Sequence, residues 1–191
     1  MPLDYKIPSR VFFTKGVGKH KDKIQSELLA LRNAGIEDFI YNELDEAGTF
    51  PAHCDVIPRD KGLRFLEQGQ FINCILIKDQ TNEPNRLIAA SIGLAIPQKN
   101  GLEHKICGYI LGHQEHGKTE EQIGDYVEDN AATLLATKLG IKFNSDTDWD
   151  EREKLFKASG KIFKTSNYTQ SAEGDKNGIY TSIIVAAVYL P

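Results

Sequence analysis

The stretch Leu87 to Pro97 (LIAASIGLAIP) is apolar almost without interruption. It is too short to span a membrane and has the length of one strand. A strand with no polar face must be covered on both sides, so this one is expected in the middle of a layered fold. Two further apolar runs, Gln70 to Lys78 and Lys105 to His113, are also of strand length and are bounded by Gly, Pro or Asn.

The flanking segments supply the other layers. Arg10 to Thr14 (RVFFT) reads as a short strand ended by Gly16 and Gly18. From about Lys21 to Ala34 the period becomes helical, with Ile24, Leu28 and Leu31 on one face and Gly35 as the C-terminal cap. A strand is expected over Asp38 to Leu44, then a polar segment from Asp45 to Arg59. Thr119 and Gln122 form a capping box. The helix it starts carries a stripe of Ile123, Tyr126, Val127, Asn130, Ala131, Leu134 and Leu135, and Gly140 ends it. After an acidic loop, Asn144 to Glu153, come two strands, Gly160 to Gln170 and Ile179 to Leu190. The Gly-, Asp- and Asn-rich turn between them predicts a hairpin. The plan is an α+β sandwich, sheet against sheet with helices outside, in a single domain over residues 1–191.

Composition narrows the partners. The net charge of −4 is spread along the chain, which argues against nucleic acid or an anionic membrane. Lys15, Lys19, Lys21 and Lys23 are broken by Asp22 and read as a solvated approach to a helix. Met1 to Arg10 shows no secretory signal. Three widely spaced cysteines, Cys54, Cys74 and Cys107, fit a reducing cytoplasm better than a zinc or disulfide framework. Cys74 and Cys107 lie in apolar strand patterns and are expected to be buried and inert; Cys54 lies in a loop.

The order of elements, together with several stretches, resembles the pyruvoyl-dependent arginine decarboxylases. Leu31 to Ile36 (LRNAGI) is similar to the end of that family's first helix, and Pro51 to Pro58 (PAHCDVIP) to the segment after its cleavage site. Ala89 to Lys99 (AASIGLAIPQK), Cys107 to Ile110 (CGYI) and Ile183 to Tyr189 (IIVAAVY) resemble three of its strands. Their shared order carries the resemblance. It implies a pyruvoyl-decarboxylase-like sandwich, a homotrimer or hexamer with sites between subunits, and a place in arginine and polyamine metabolism. The family converts arginine to agmatine and carbon dioxide.

In that family a Ser-Ser or Thr-Ser bond breaks itself. The second hydroxyl attacks the preceding carbonyl, the ester eliminates, and the dehydroalanine hydrolyses to a pyruvoyl group that serves as the electron sink. Anchored on Pro51 and Pro58, the cleavage pair falls on Ala47 and Gly48; without an insertion it would fall on Asp45 and Glu46. No serine stands at either place. Thr49 is the nearest hydroxyl, and its elimination would leave a 2-oxobutanoyl group instead. Cys54 is the nearest thiol. The family's proton-donor glutamate matches Gly112, followed by His113, Gln114 and Glu115. Its acidic residue toward the substrate guanidinium matches Leu28, with Glu27 beside it. The family-site equivalents are therefore Gly48, Thr49, Gly112, His113 and Glu115.

An uncleaved, non-catalytic chain follows as the first expectation, with no cofactor and with a small amino-acid-like ligand as its partner. A decarboxylase with an unusual processing site near Gly48 and Thr49, carrying pyruvoyl if processing occurs, is the alternative. A different enzyme reusing the pocket through His113, Glu115 or Cys54 is a third. Other patterns read more plainly. His113 and His116 lack a third ligand for zinc, so His113 should end a strand and His116 begin a turn. His53 and Cys54 read as loop residues. Gly16-Val17-Gly18 reads as a turn and not a phosphate cradle. Asp146, Asp148, Asp150 and Glu151 lack the spacing of a calcium loop. Trp149 among them is expected to pack on the core or on a partner subunit.

Overall fold

The computed structural model describes residues 7–98, 106–150 and 155–191. Its elements run β1 (Arg10–His20), α1 (Lys23–Ala34), β2 (Ile40–Glu43), β3 (Ala47–Phe50), β4 (Asp55–Val56), α2 (Arg59–Leu63), β5 (Phe71–Thr81), β6 (Leu87–Pro97), β7 (Gly108–His116) and α3 (Glu120–Lys138). They end with α4 (Ser145–Asp148), β8 (Trp149–Asp150), β9 (Leu155–Ala158), β10 (Lys161–Glu173) and β11 (Tyr180–Leu190). The first sheet has the order β2-β5-β11-β1-β4 and the second β3-β7-β6-β10-β9-β8. They stack face to face, with α1 against the outside of the first and α3 against the outside of the second. This is the expected α+β sandwich.

The apolar strand Leu87 to Pro97 is β6, seated between β7 and β10. Ile88, Ala90, Ile92 and Leu94 face the core between the sheets. The other face is small, so α3 can come close: a Cβ on Gly93 would strike the backbone of Val127. β11 plays the same part in the first sheet. Ile183, Val185, Ala187 and Tyr189 point inward, and Ile184, Ala186, Val188 and Leu190 lie under α1.

Three expectations are corrected. β1 does not end at Thr14 but continues through Gly16 and Gly18, paired with β11 from Arg10↔Leu190 to His20↔Tyr180. The glycines are contact points for α1, since a Cβ on either would collide with the carbonyl of Ala30 or Ser26. The same contact rotates α1. Its small residues Ser26, Ala30 and Ala34 are buried together with Leu31, while Leu28 is half-buried and Ile24 exposed. Third, β10 and β11 do not form a hairpin. β10 lies between β6 and β9, and β11 between β5 and β1, so the chain crosses from one sheet to the other. A strand apolar on both faces is better covered at the centre of the first sheet than at the edge of a ribbon.

The helix ends follow the sequence. Gly35 caps α1 at φ 77°. Thr119 and Gln122 form the capping box of α3, and Ile123, Val127, Ala131 and Leu135 are buried along it, with Tyr126 left exposed. Trp149 lies 4.8 Å from the ring of Phe156, against the apolar cluster under α3. Glu151, and with it the end of the acidic loop, lies outside the described residues, as do Lys99 and Lys105. Among the described residues, no helix is long and apolar enough to cross a membrane.

Gly18→Ala is expected to lower the unfolding free energy by about 1–3 kcal/mol, because the methyl group drives against the helix backbone. Urea unfolding reads this, and an unchanged midpoint would mean that α1 does not press on β1.

Candidate functional site

β3 and β7 form the free edge of the second sheet opposite β8. Ala47 pairs with Leu111, Gly48 with Ile110, Thr49 with Tyr109 and Phe50 with Gly108. The ladder continues one step further, with the N–H of Gly112 donating to the carbonyl of Glu46 at 2.6 Å. Strand alternation then sorts the side chains. Positions 48, 110 and 112 face the first sheet, where Ile110 enters the core. Positions 47, 49, 111 and 113 face α3.

The two family-site positions on the inner face are both glycine, in different surroundings. A Cβ on Gly48 would meet nothing within 4 Å. A Cβ on Gly112 would run into the side chain of Ile77 on β5. Ile77 is fully buried and belongs to the core between the sheets. It fills the space into which a longer residue at 112 would have to reach.

Thr49, His113 and Glu115 are on the other face. Thr49 Oγ1 accepts a hydrogen bond from Lys138 Nζ of α3 at 3.1 Å. The His113 ring packs 4.7 Å from Tyr126, and His113 Nε2 lies 3.5 Å from Glu115 Oε2. The strand runs on to His116, so His113 does not end it as expected. His116 turns to the opposite face, with Nε2 3.0 Å from Asp79 Oδ1 and Nδ1 accepting from Arg86 Nε at 3.3 Å. The two histidines thus point apart. Among the described residues, no three His, Cys, Asp or Glu side chains are placed to hold a metal ion.

Cys54 does not stand beside His113 or Glu115. It is buried in the core between the sheets, and burial, with Asp55 adding to it, pushes its thiol up to about 12. His53 next to it is exposed. Burial likewise pushes Cys74 to about 12. Cys107 precedes β7 and is only half-buried, unlike the expectation for it. On α1, Leu28 packs against the outer core of the first sheet, and Glu27 Oε1 pairs with Lys78 Nζ at 3.2 Å.

Comparison with known proteins assigns this architecture. Residues 10–191 match the family described as Pyruvoyl-dependent arginine decarboxylase. The chain belongs to the pyruvoyl-dependent arginine decarboxylase family. It is 49% identical to the "Probable pyruvoyl-dependent arginine decarboxylase" of Chloroherpeton thalassium, over 97% of this chain and 98% of that one. It is 46% identical to the "Pyruvoyl-dependent arginine decarboxylase" of Methanococcoides burtonii, over 96% and 99%. The "Pyruvoyl-dependent arginine decarboxylase 2" of Methanosarcina acetivorans is 45% identical, over 96% and 97%. Within this member of the family, Ile77 and Lys138 shape the β3–β7 edge, and neither was singled out from the sequence. Ile77 arrives by stacking of the sheets and Lys138 by docking of α3, so no local pattern marks them.

Two outcomes follow. Gly112→Glu should cost about 1–3 kcal/mol from overpacking against Ile77, and Ile77→Ala in the same chain should return part of it. Double-mutant unfolding curves measure the coupling, and simple additivity of the two losses would contradict the contact. The second concerns pH. The thiols of Cys54 and Cys74 are raised from 9.0 to about 12 in the fold. Above pH 9 the unfolded chain releases protons that the folded chain retains, so stability is complete below pH 9 and falls as pH rises toward 12. Urea midpoints taken from neutral to alkaline pH should fall, and fall less in Cys54→Ala.

Proposed function

We propose that this chain is an uncleaved, non-catalytic member of the family, which keeps the sandwich and its homo-oligomeric assembly but does not make the cofactor. The observation that carries this is the residue pair at the start of β3. Ala47 and Gly48 have no hydroxyl or thiol, so nothing at that bond can attack the preceding carbonyl or leave by β-elimination. The residues here do not fit a pyruvoyl group. Support comes from Gly112, where the family's proton donor would stand. It has no titratable group, and Ile77 occupies the adjoining space. Leu28 offers no charge to a guanidinium. The assembly we propose is a trimer or hexamer in the cytoplasm.

One contact favours a second reading. Thr49 Oγ1 is held by Lys138 Nζ, and a hydroxyl at that position could attack the carbonyl of Gly48. Elimination and hydrolysis would then release residues 1–48 with a free carboxylate, together with ammonia. Residues 49–191 would begin with a 2-oxobutanoyl group. As the donor in this contact, Lys138 Nζ would stabilise negative charge developing on Oγ1 as it attacks.

Intact mass under denaturing conditions separates these readings. The uncleaved reading predicts one species at the full chain mass of 21.3 kDa. Two species, the larger beginning with a blocked carbonyl at position 49, would overturn it.

A further inference from the structure

The sheets part at the edge of the sandwich remote from β3 and β7. β4 pairs with β1 only at Arg10 and Val11, and β9 pairs with β10 only from Lys161 to Phe163. Beyond those residues, between β1 and β10, lies a cavity of about 770 Å³. That is within the usual range for small-molecule sites.

Its walls carry opposite charge. On the side of the first sheet stand Lys15 and Arg59. Arg59 is fixed in place: Nε donates to Thr14 Oγ1 at 3.0 Å and Nη2 to the carbonyl of Asn33 at 3.3 Å. Its carboxylate neighbour is Asp60, at 3.3 Å and 81% exposed, so little of the guanidinium charge is neutralised. Lys15 Nζ donates to the carbonyl of Thr169 at 2.7 Å. That uses one of its three donors on a neutral partner.

On the side of the second sheet stand Glu120, Glu121 and Asp125 of α3. Glu120 Oε1 accepts from the N–H of Ser171 at 3.1 Å and from its hydroxyl at 3.3 Å. Glu121 and Asp125 continue into a neighbouring cavity of about 470 Å³ that Glu128 and Asp129 also line. Negative charge is in excess there. The Asp129 carboxyl is raised, first by burial and then by Asp125, Asp146 and Glu128. Between the walls, the rings of Phe13 and Tyr168 stack with centroids 3.6 Å apart. Carboxylates at a helix start are ordinary, since they complement its dipole. A helix start does not account for a fixed cationic wall facing them across an aromatic surface.

We propose that this cavity binds a small zwitterion, with a carboxylate at one end and an amino or guanidino group at the other. The carboxylate meets Lys15 and Arg59, the cation meets Glu121 and Asp125, and the aliphatic part lies on Phe13 and Tyr168. The site is separate from the β3–β7 edge, so it stands whether or not the chain cleaves itself.

Calorimetric titration of the full chain with L-lysine, cadaverine and hexanoate tests the proposal. Lysine should bind saturably, and cadaverine and hexanoate, each lacking one charged end, about tenfold or more weaker. Lys15→Met and Asp125→Asn should each weaken lysine by at least about tenfold, with unfolding midpoints unchanged. Glu67→Gln, exposed in the turn before β5 and outside the cavity, should bind as the parent does. If Lys15→Met does not fold, the isosteric and exposed Asp125→Asn carries the test. No saturable lysine binding, cadaverine as tight as lysine, or unaltered binding in Asp125→Asn would each overturn the proposal. So would loss of binding as the chain assembles, which would mark this edge as a contact between copies.

Discussion

The core between the sheets depends on two strands, β6 and β11, that are apolar on both faces. Each must sit in the middle of its own sheet, and each must have a helix on its outer face. These two demands place β5 and β1 beside β11, and β7 and β10 beside β6. They also explain the small residues where the helices touch: Gly16 and Gly18 under α1, Gly93 under α3. At roughly 25 cal/mol per Å² of apolar surface buried, the covering of these faces outweighs any single polar contact in the molecule. The β3–β7 edge is built on top of this arrangement.

Ile77 links that core to the edge. It belongs to β5 and to the inter-sheet cluster, and its side chain closes the space beside Gly112. On the proposed reading, the position matched to the family's proton donor is filled by packing. Position 48, by contrast, faces open space. A glycine there leaves the core undisturbed, and on the proposed reading it takes away the cleavage chemistry. On the proposed reading, the two matched positions differ in their surroundings, one packed and one open.

Much of the architecture was legible because period and capping are local. The stripe of α3, its capping box, the Gly35 cap and the doubly buried strand Leu87 to Pro97 all follow from neighbouring residues. What failed depended on distant partners. Gly16 and Gly18 look like a turn until α1 is laid across them. The segment after β10 looks like a hairpin turn until β11 is seen to need the other sheet. The pattern Ile24, Leu28, Leu31 has helical spacing, yet the buried face is decided by the glycines on β1. At the edge, Gly48, Thr49 and Gly112 were found through their place relative to Pro51 and Pro58 and to the CGYI stretch. Strand alternation then separated Gly48 and Gly112 from Thr49, His113 and Glu115, which sequence spacing alone had grouped together. The charged cavity between β1 and β10 left no trace in sequence, because its two walls come from opposite ends of the chain.

The claim at the centre of this account is that a family frame persists here without the family's chemistry. Release of labelled carbon dioxide from carboxyl-labelled L-arginine by the purified full chain tests it most directly. The account predicts release at the level of a protein-free control, unaffected by borohydride. Turnover above that control, abolished by borohydride reduction, would reveal a reactive carbonyl in the chain and contradict it.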